Sequence, residues 1–67
     1  MIIADKVAQD RLLTTVEAAE VLAVSPQTVA LWRRRKSADL PYIRVHGSIR
    51  YRREHIDRWL EAQTVRD

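Results

Sequence analysis

The chain contains no cysteine, which removes disulfides and thiolate metal sites from consideration. It has only two histidines and no dense cluster of carboxylates, leaving little from which to build a catalytic metal centre. A single glycine excludes a glycine-rich phosphate loop. No apolar run approaches the roughly 20 residues of a membrane-spanning helix. Met1-Ile2-Ile3-Ala4 is followed at once by Asp5 and Lys6, which is not a signal peptide. A cytoplasmic location is therefore expected. Internal repeats and low-complexity tracts are missing, as is any nucleophile–base pair. The chain is read as not an enzyme, with no cofactor and no metal. Its 67 residues make one small domain. A chain of this length buries only about 60% of its unfolded surface, which leaves little room for an enclosed active site.

Charge of one sign is abundant, and it is confined. Residues 1–32 hold Lys6 and Arg11 against Asp5, Asp10, Glu17 and Glu20. Residues 33–58 hold nine cations against the three acids Asp39, Glu54 and Asp57, a net of +6. Ten of the twelve cations are arginine. Arginine presents a planar fork matched to phosphate and to guanine, where lysine is a point charge. The same bias also arises simply from a GC-rich genome.

Thr14-Thr15-Val16-Glu17 fits a capping box, with Thr14 capping free N–H groups and Glu17 reaching back. The helix it opens, roughly Thr15–Ala23, carries Ala18, Ala19 and Leu22 on one stripe. Small alanines there let a second helix approach closely. Val24 and Ser25 then separate it from a second helix. Ser25 is a favoured N-cap and Pro26 a favoured first residue, so this helix should run from Pro26 to about Arg35. Val29 and Trp32 share its inner face. Gln27, Ala30, Leu31 and Arg34 point elsewhere. Arg33, Arg34, Arg35 and Lys36 end it, and they span about 300° of the helix, so they cannot all face one partner.

Ser37–Pro41 reads as a loop. Residues 42–51, YIRVHGSIRY, alternate around the lone Gly47, which is a hairpin pattern. Keeping the apolar residues on one face favours a three-residue loop, His46-Gly47-Ser48. That register pairs Val45 with Ile49, Ile43 with Tyr51, and Arg44 with Arg50. A last helix is expected over Arg53–Thr64, with Ile56, Trp59, Leu60 and Gln63 on one face. Its start lacks a good cap, and Arg52 and Arg53 oppose the helix dipole there. Phosphate contact by these cations would offset that cost.

The order is helix, turn, helix, hairpin, helix. LLTTVEAAEVLAVSPQTVALWRRR resembles the opening of excisionase-type, MerR-like winged helix-turn-helix domains. Leu13-Thr14, Glu17–Leu22, Val24-Ser25, Thr28-Val29 and Trp32 carry the likeness. LPYIRVHGSIRYRREHIDRWL resembles the continuation: a Leu-Pro entry, a wing with central glycine, and a helix ending in Trp-Leu. The likeness spans residues 12–61. Ala23, where glycine is frequent, Leu31, where a polar residue is common, and Arg33, where an aliphatic is usual, depart from it.

The resemblance implies a mainly α fold with a small β-hairpin, a winged helix-turn-helix over residues 12–64. Residues 1–11 would form an N-terminal tail or short helix and residues 65–67 a C-terminal tail. It implies binding of duplex DNA, with the second helix in the major groove and the wing on the minor groove or backbone. The candidate DNA-binding residues are Ser25, Gln27, Thr28, Leu31, Arg34 and Arg35, with Arg44, His46, Ser48 and Arg50 on the wing. Gln27 can bond adenine bidentately, and Leu31 can meet a thymine methyl.

Each residue also has a plainer reading. The basic run suits a solvated helix end, since cations there complement the dipole. Gln27 and Thr28 suit helix surface. Trp32 and Trp59 could stack on single strands, but their spacing favours the core. Tyr42 and Tyr51 suit hairpin packing, His46 a wing-tip donor, and His55 the surface. Family members include phage excisionases (recombination directionality factors), small phage regulators and packaging subunits. The chain is expected to be an excisionase that bends DNA beside an attachment site and partners an integrase, with self-association along the DNA. A small transcriptional regulator is the alternative. A protein-binding adaptor using the basic face is a third reading, from another class. No membrane partner is expected.

Overall fold

The computed structural model describes residues 12–66. Among them the order is α1 (Thr15–Leu22), α2 (Pro26–Arg35), β1 (Ile43–Val45), β2 (Ser48–Arg50) and α3 (Arg53–Gln63). The reading of residues 1–11 as a tail or helix lies outside the described residues.

The helix starts follow from local chemistry. Thr14 and Glu17 form a reciprocal capping box: the Glu17 N–H donates to Thr14 Oγ1 at 3.1 Å, and the Thr14 N–H to Glu17 Oε1 at 2.9 Å. Ser25 Oγ accepts from the Thr28 N–H at 3.2 Å, with Pro26 opening α2. The C-terminal ends share one geometry. Ala23 and Lys36 take left-handed backbone, φ 59° and 54°. Val24 N–H then reaches Ala19 O, and Ser37 N–H reaches Trp32 O, each at 3.1 Å. These are Schellman closures, in which glycine is the unstrained choice. Helix α1 is thus one residue shorter than expected, and three residues, Ala23–Ser25, make the turn.

Buried Ala18 and Ala19 let α2 lie close against α1. Val29 of α2, Ile56 of α3, Leu13 and Tyr51 complete the buried set among the described residues, with the Tyr51 hydroxyl as its one polar side-chain group. Leu13 pairs antiparallel with Tyr51 through two backbone bonds of 2.8 Å. Trp32 and Trp59 are half-buried, where full core positions are expected, and their ring centres lie 5.5 Å apart. On α3, Ile56 is buried, but Leu60 and Gln63 are exposed. Residue 64 lies beyond the helix as its cap.

The hairpin register differs from the expected one. Its loop has two residues, not three, so that Val45 pairs with Ser48, Arg44 with Ile49 and Ile43 with Arg50. His46 and Gly47 both have positive φ, 48° and 83°, the type I′ pattern whose twist matches the strands. Histidine is among the residues that tolerate left-handed backbone. Hydrophobic matching fixes register only where one face is buried. This wing is mostly exposed, with Val45 and Arg44 in solvent. Tyr51 is already committed to Leu13, so it is not a partner for Ile43. Arg44 and Arg50 consequently point to opposite faces and do not confront each other.

Two stability tests follow from this geometry. Left-handed backbone costs an L-residue about 1–2 kcal/mol, and the looser unfolded chain of a glycine variant returns part of that. Ala23→Gly should therefore stabilise the fold by about 0.5–1 kcal/mol, read as a higher urea midpoint; an unchanged or lower midpoint would show that no strain is stored there. Trp32→Ala and Trp59→Ala should be non-additive by about 0.5–1.5 kcal/mol if the ring contact stabilises the fold. Strictly additive losses in the same denaturation series would assign it no coupling.

Candidate nucleic-acid interface

Helix α2 has two distinct faces. Val29, Trp32 and Arg33 lie inward, spaced three and four residues apart. Gln27, Leu31 and Arg34 form the outer stripe at i, i+4 and i+7. Gln27 and Arg34 are exposed, and Leu31 is half-buried. Thr28 and Arg35 flank this stripe. Thr28 is half-buried, and its Oγ1 shares a 2.9 Å hydrogen bond with Ser25 Oγ. Ser25 and Thr28 therefore brace the start of the helix, while Gln27 beside them is left open.

The basic run divides by direction. Arg34, Arg35 and Lys36 are exposed. Arg33 turns inward: its Nη1 donates to the Tyr51 hydroxyl at 2.9 Å and to Thr15 Oγ1 at 3.3 Å. An aliphatic residue is expected at that position, and the side chain present uses it in the same inward sense. The signal was in the spacing, since Arg33 lies one helical turn beyond buried Val29.

On the wing, Arg44, His46 and Ser48 are exposed, whereas Arg50 is half-buried and donates to the Ile49 carbonyl at 2.8 Å. Arg53 and Arg58 are tied to the acids of their own helix. Arg53 meets Asp57 at 3.1 Å and Arg58 meets Glu54 at 3.2 Å. Such exposed pairs contribute a few tenths of a kcal/mol each. Arg53 is therefore partnered within the chain, not left open as the sequence suggested. Arg52, at the start of α3, is exposed and makes no side-chain cap, as its residue type implies. Among the described residues, Arg34, Arg35, Lys36, Arg44 and Arg52 make no ion pair.

His55 is half-buried, not on the surface. Its Nδ1 is enclosed without a hydrogen-bond partner, beside a groove of about 380 Å³ lined by Pro41, Arg58 and Trp59. Among the described residues, no group of three His, Asp or Glu side chains could hold a metal ion, and no helix is long and apolar enough to cross a membrane.

Two helices joined by a three-residue turn, followed by a two-stranded wing that exposes Arg44, define a winged helix-turn-helix. The chain belongs to the family described as the helix-turn-helix domain, whose model matches residues 12–64. That family binds DNA through this unit. Neither curated proteins nor solved structures match the chain.

The exposed cations make a quantitative statement about DNA binding. Five unpaired cations meeting phosphates would give a slope of log K against log salt of about −3 to −5. The measurement is a fluorescence-anisotropy titration on duplex DNA between low and moderate salt. A slope near zero would mean that these charges do not meet phosphate.

Proposed function

We propose that the chain is a sequence-specific duplex-DNA-binding protein of the excisionase kind. It binds and bends DNA beside an attachment site and steers a site-specific recombinase, an integrase, toward excision. In this reading α2 lies in the major groove. Gln27, Leu31 and Arg34 approach base edges, with Thr28 and Ser25 at the helix start and Arg35 on phosphate. Arg44, His46, Ser48 and Arg50 of the wing meet the neighbouring backbone or minor groove. The protein acts by shaping DNA and by contact with other proteins, without chemistry of its own, and neighbouring copies associate along the DNA.

One observation carries the reading. The outer side of α2 and the first strand of the wing both present exposed arginines, Arg34 and Arg35 on α2 and Arg44 on β1, with no acid to neutralise them. The excisionase role within DNA binding is supported by the ordered likeness over residues 12–61 to excisionase-type domains. A small phage or prophage regulator uses the same surface. An adaptor would set that surface against an acidic protein.

A mobility-shift series separates these readings. Duplex DNA flanking the chain's own gene and random-sequence duplex are titrated across a range of salt. The proposal expects tight, selective binding to the flanking DNA with stepwise multiple shifts that weaken steeply with salt. A single shifted species would favour the regulator. No shift at low salt would overturn DNA recognition and leave the adaptor.

A further inference from the structure

Arg33 belongs to the basic run in sequence, yet its side chain is engaged within the fold. Besides the hydroxyls of Tyr51 and Thr15, it meets a third group: its guanidinium carbon lies 5.9 Å from the centre of the Tyr42 ring. Tyr42 immediately precedes β1, and Tyr51 immediately follows β2. The two tyrosine rings also lean on each other, 6.3 Å apart and inclined at 52°. One side chain of α2 therefore grips both feet of the wing. Thr15, its remaining partner, is the first residue of α1.

A hairpin with strands of three residues has little stability alone. Its direction is set at its base, where the Leu13–Tyr51 backbone pair anchors one foot and Arg33 ties both feet to α2. We infer that Arg33 is a positioning residue for DNA recognition: by holding Tyr42 and Tyr51 it fixes the wing relative to α2, and so the spacing at which both reach one duplex. The inference rests on the proposed contact of the wing with DNA. A wing held in place adds its contacts without an ordering cost at binding, whereas a loosened wing must be ordered first. Lysine at this position keeps the charge but not the planar group that lies against Tyr42.

Tyr51 makes the test clean. It is 1% exposed, so its hydroxyl does not touch DNA. Tyr51→Phe removes that hydroxyl and keeps the ring. Binding is measured at a temperature where thermal melts show every variant fully folded, so a purely structural loss does not register. Tyr51→Phe should weaken binding by roughly 3- to 10-fold with the salt slope unchanged. Arg33→Lys should do the same, and the double variant should be little worse than either alone. Arg44→Ala is run in parallel to report whether the wing is on the DNA. If Arg44→Ala weakens binding while Tyr51→Phe does not, the grip has no part in recognition and the inference fails alone. If Arg33→Met lowers the salt slope by about one while Tyr51→Phe is silent, Arg33 is a phosphate ligand instead. If Arg44→Ala is silent, the wing is off the DNA, and the inference falls together with that reading.

Discussion

Tyr51 joins three parts of the chain that are distant in sequence. Its backbone closes a two-bond pair with Leu13 ahead of α1, its ring fills the core, and its hydroxyl accepts from Arg33 of α2. A domain this small has few buried residues with which to hold its parts together. Concentrating three functions in one tyrosine is how the wing becomes part of the folded unit. Without that junction, α1 and α2 would still pack through their alanines, but the hairpin would keep only the packing of Ile49 on the core and the contact of Tyr42 with Arg33.

Features governed by neighbours in sequence were legible in advance. The capping box at Thr14 and Glu17, the Ser25-Pro26 helix start, the missing cap at Arg52 and the turn at Gly47 each depend on a few adjacent residues. The hairpin register was not legible, because what decided it was a pairing between residues 13 and 51. The rule that sorts apolar residues onto one face also loses force on a wing bathed in solvent. Leu60 misled for a related reason: helical spacing placed it with Ile56, but spacing along one helix does not say what packs against it, and Leu60 is exposed.

The outer stripe of α2 was readable for the same periodic reason, since Gln27, Leu31 and Arg34 follow from one helical repeat. The inward turn of Arg33 follows from that repeat too. It was hidden by its residue type, because a run of four cations invites a single explanation. In the structure the run has two, and position on the helix separates them. The crowding of like charges is eased accordingly: Arg33 is drawn to hydroxyls and an aromatic face, while its neighbours spread into solvent at a helix end whose dipole favours them.

The places where the chain departs from good helix-end chemistry share a property. Lys36 occupies a left-handed position suited to glycine, and Arg52 occupies an N-cap suited to serine or aspartate. Both substitutions keep an exposed cation near the base of the wing; Lys36 lines one groove with Tyr42, and Arg52 directly follows Tyr51. A glycine and a serine there would make tidier helix ends and a less basic surface. Local stability is surrendered where positive charge can meet a polyanion, which is the pattern expected when a binding surface, and not the fold, selects the residue. Arg33 is the complementary case. There a cation is retained where an aliphatic residue would pack, and what it secures is the geometry that the exposed cations share.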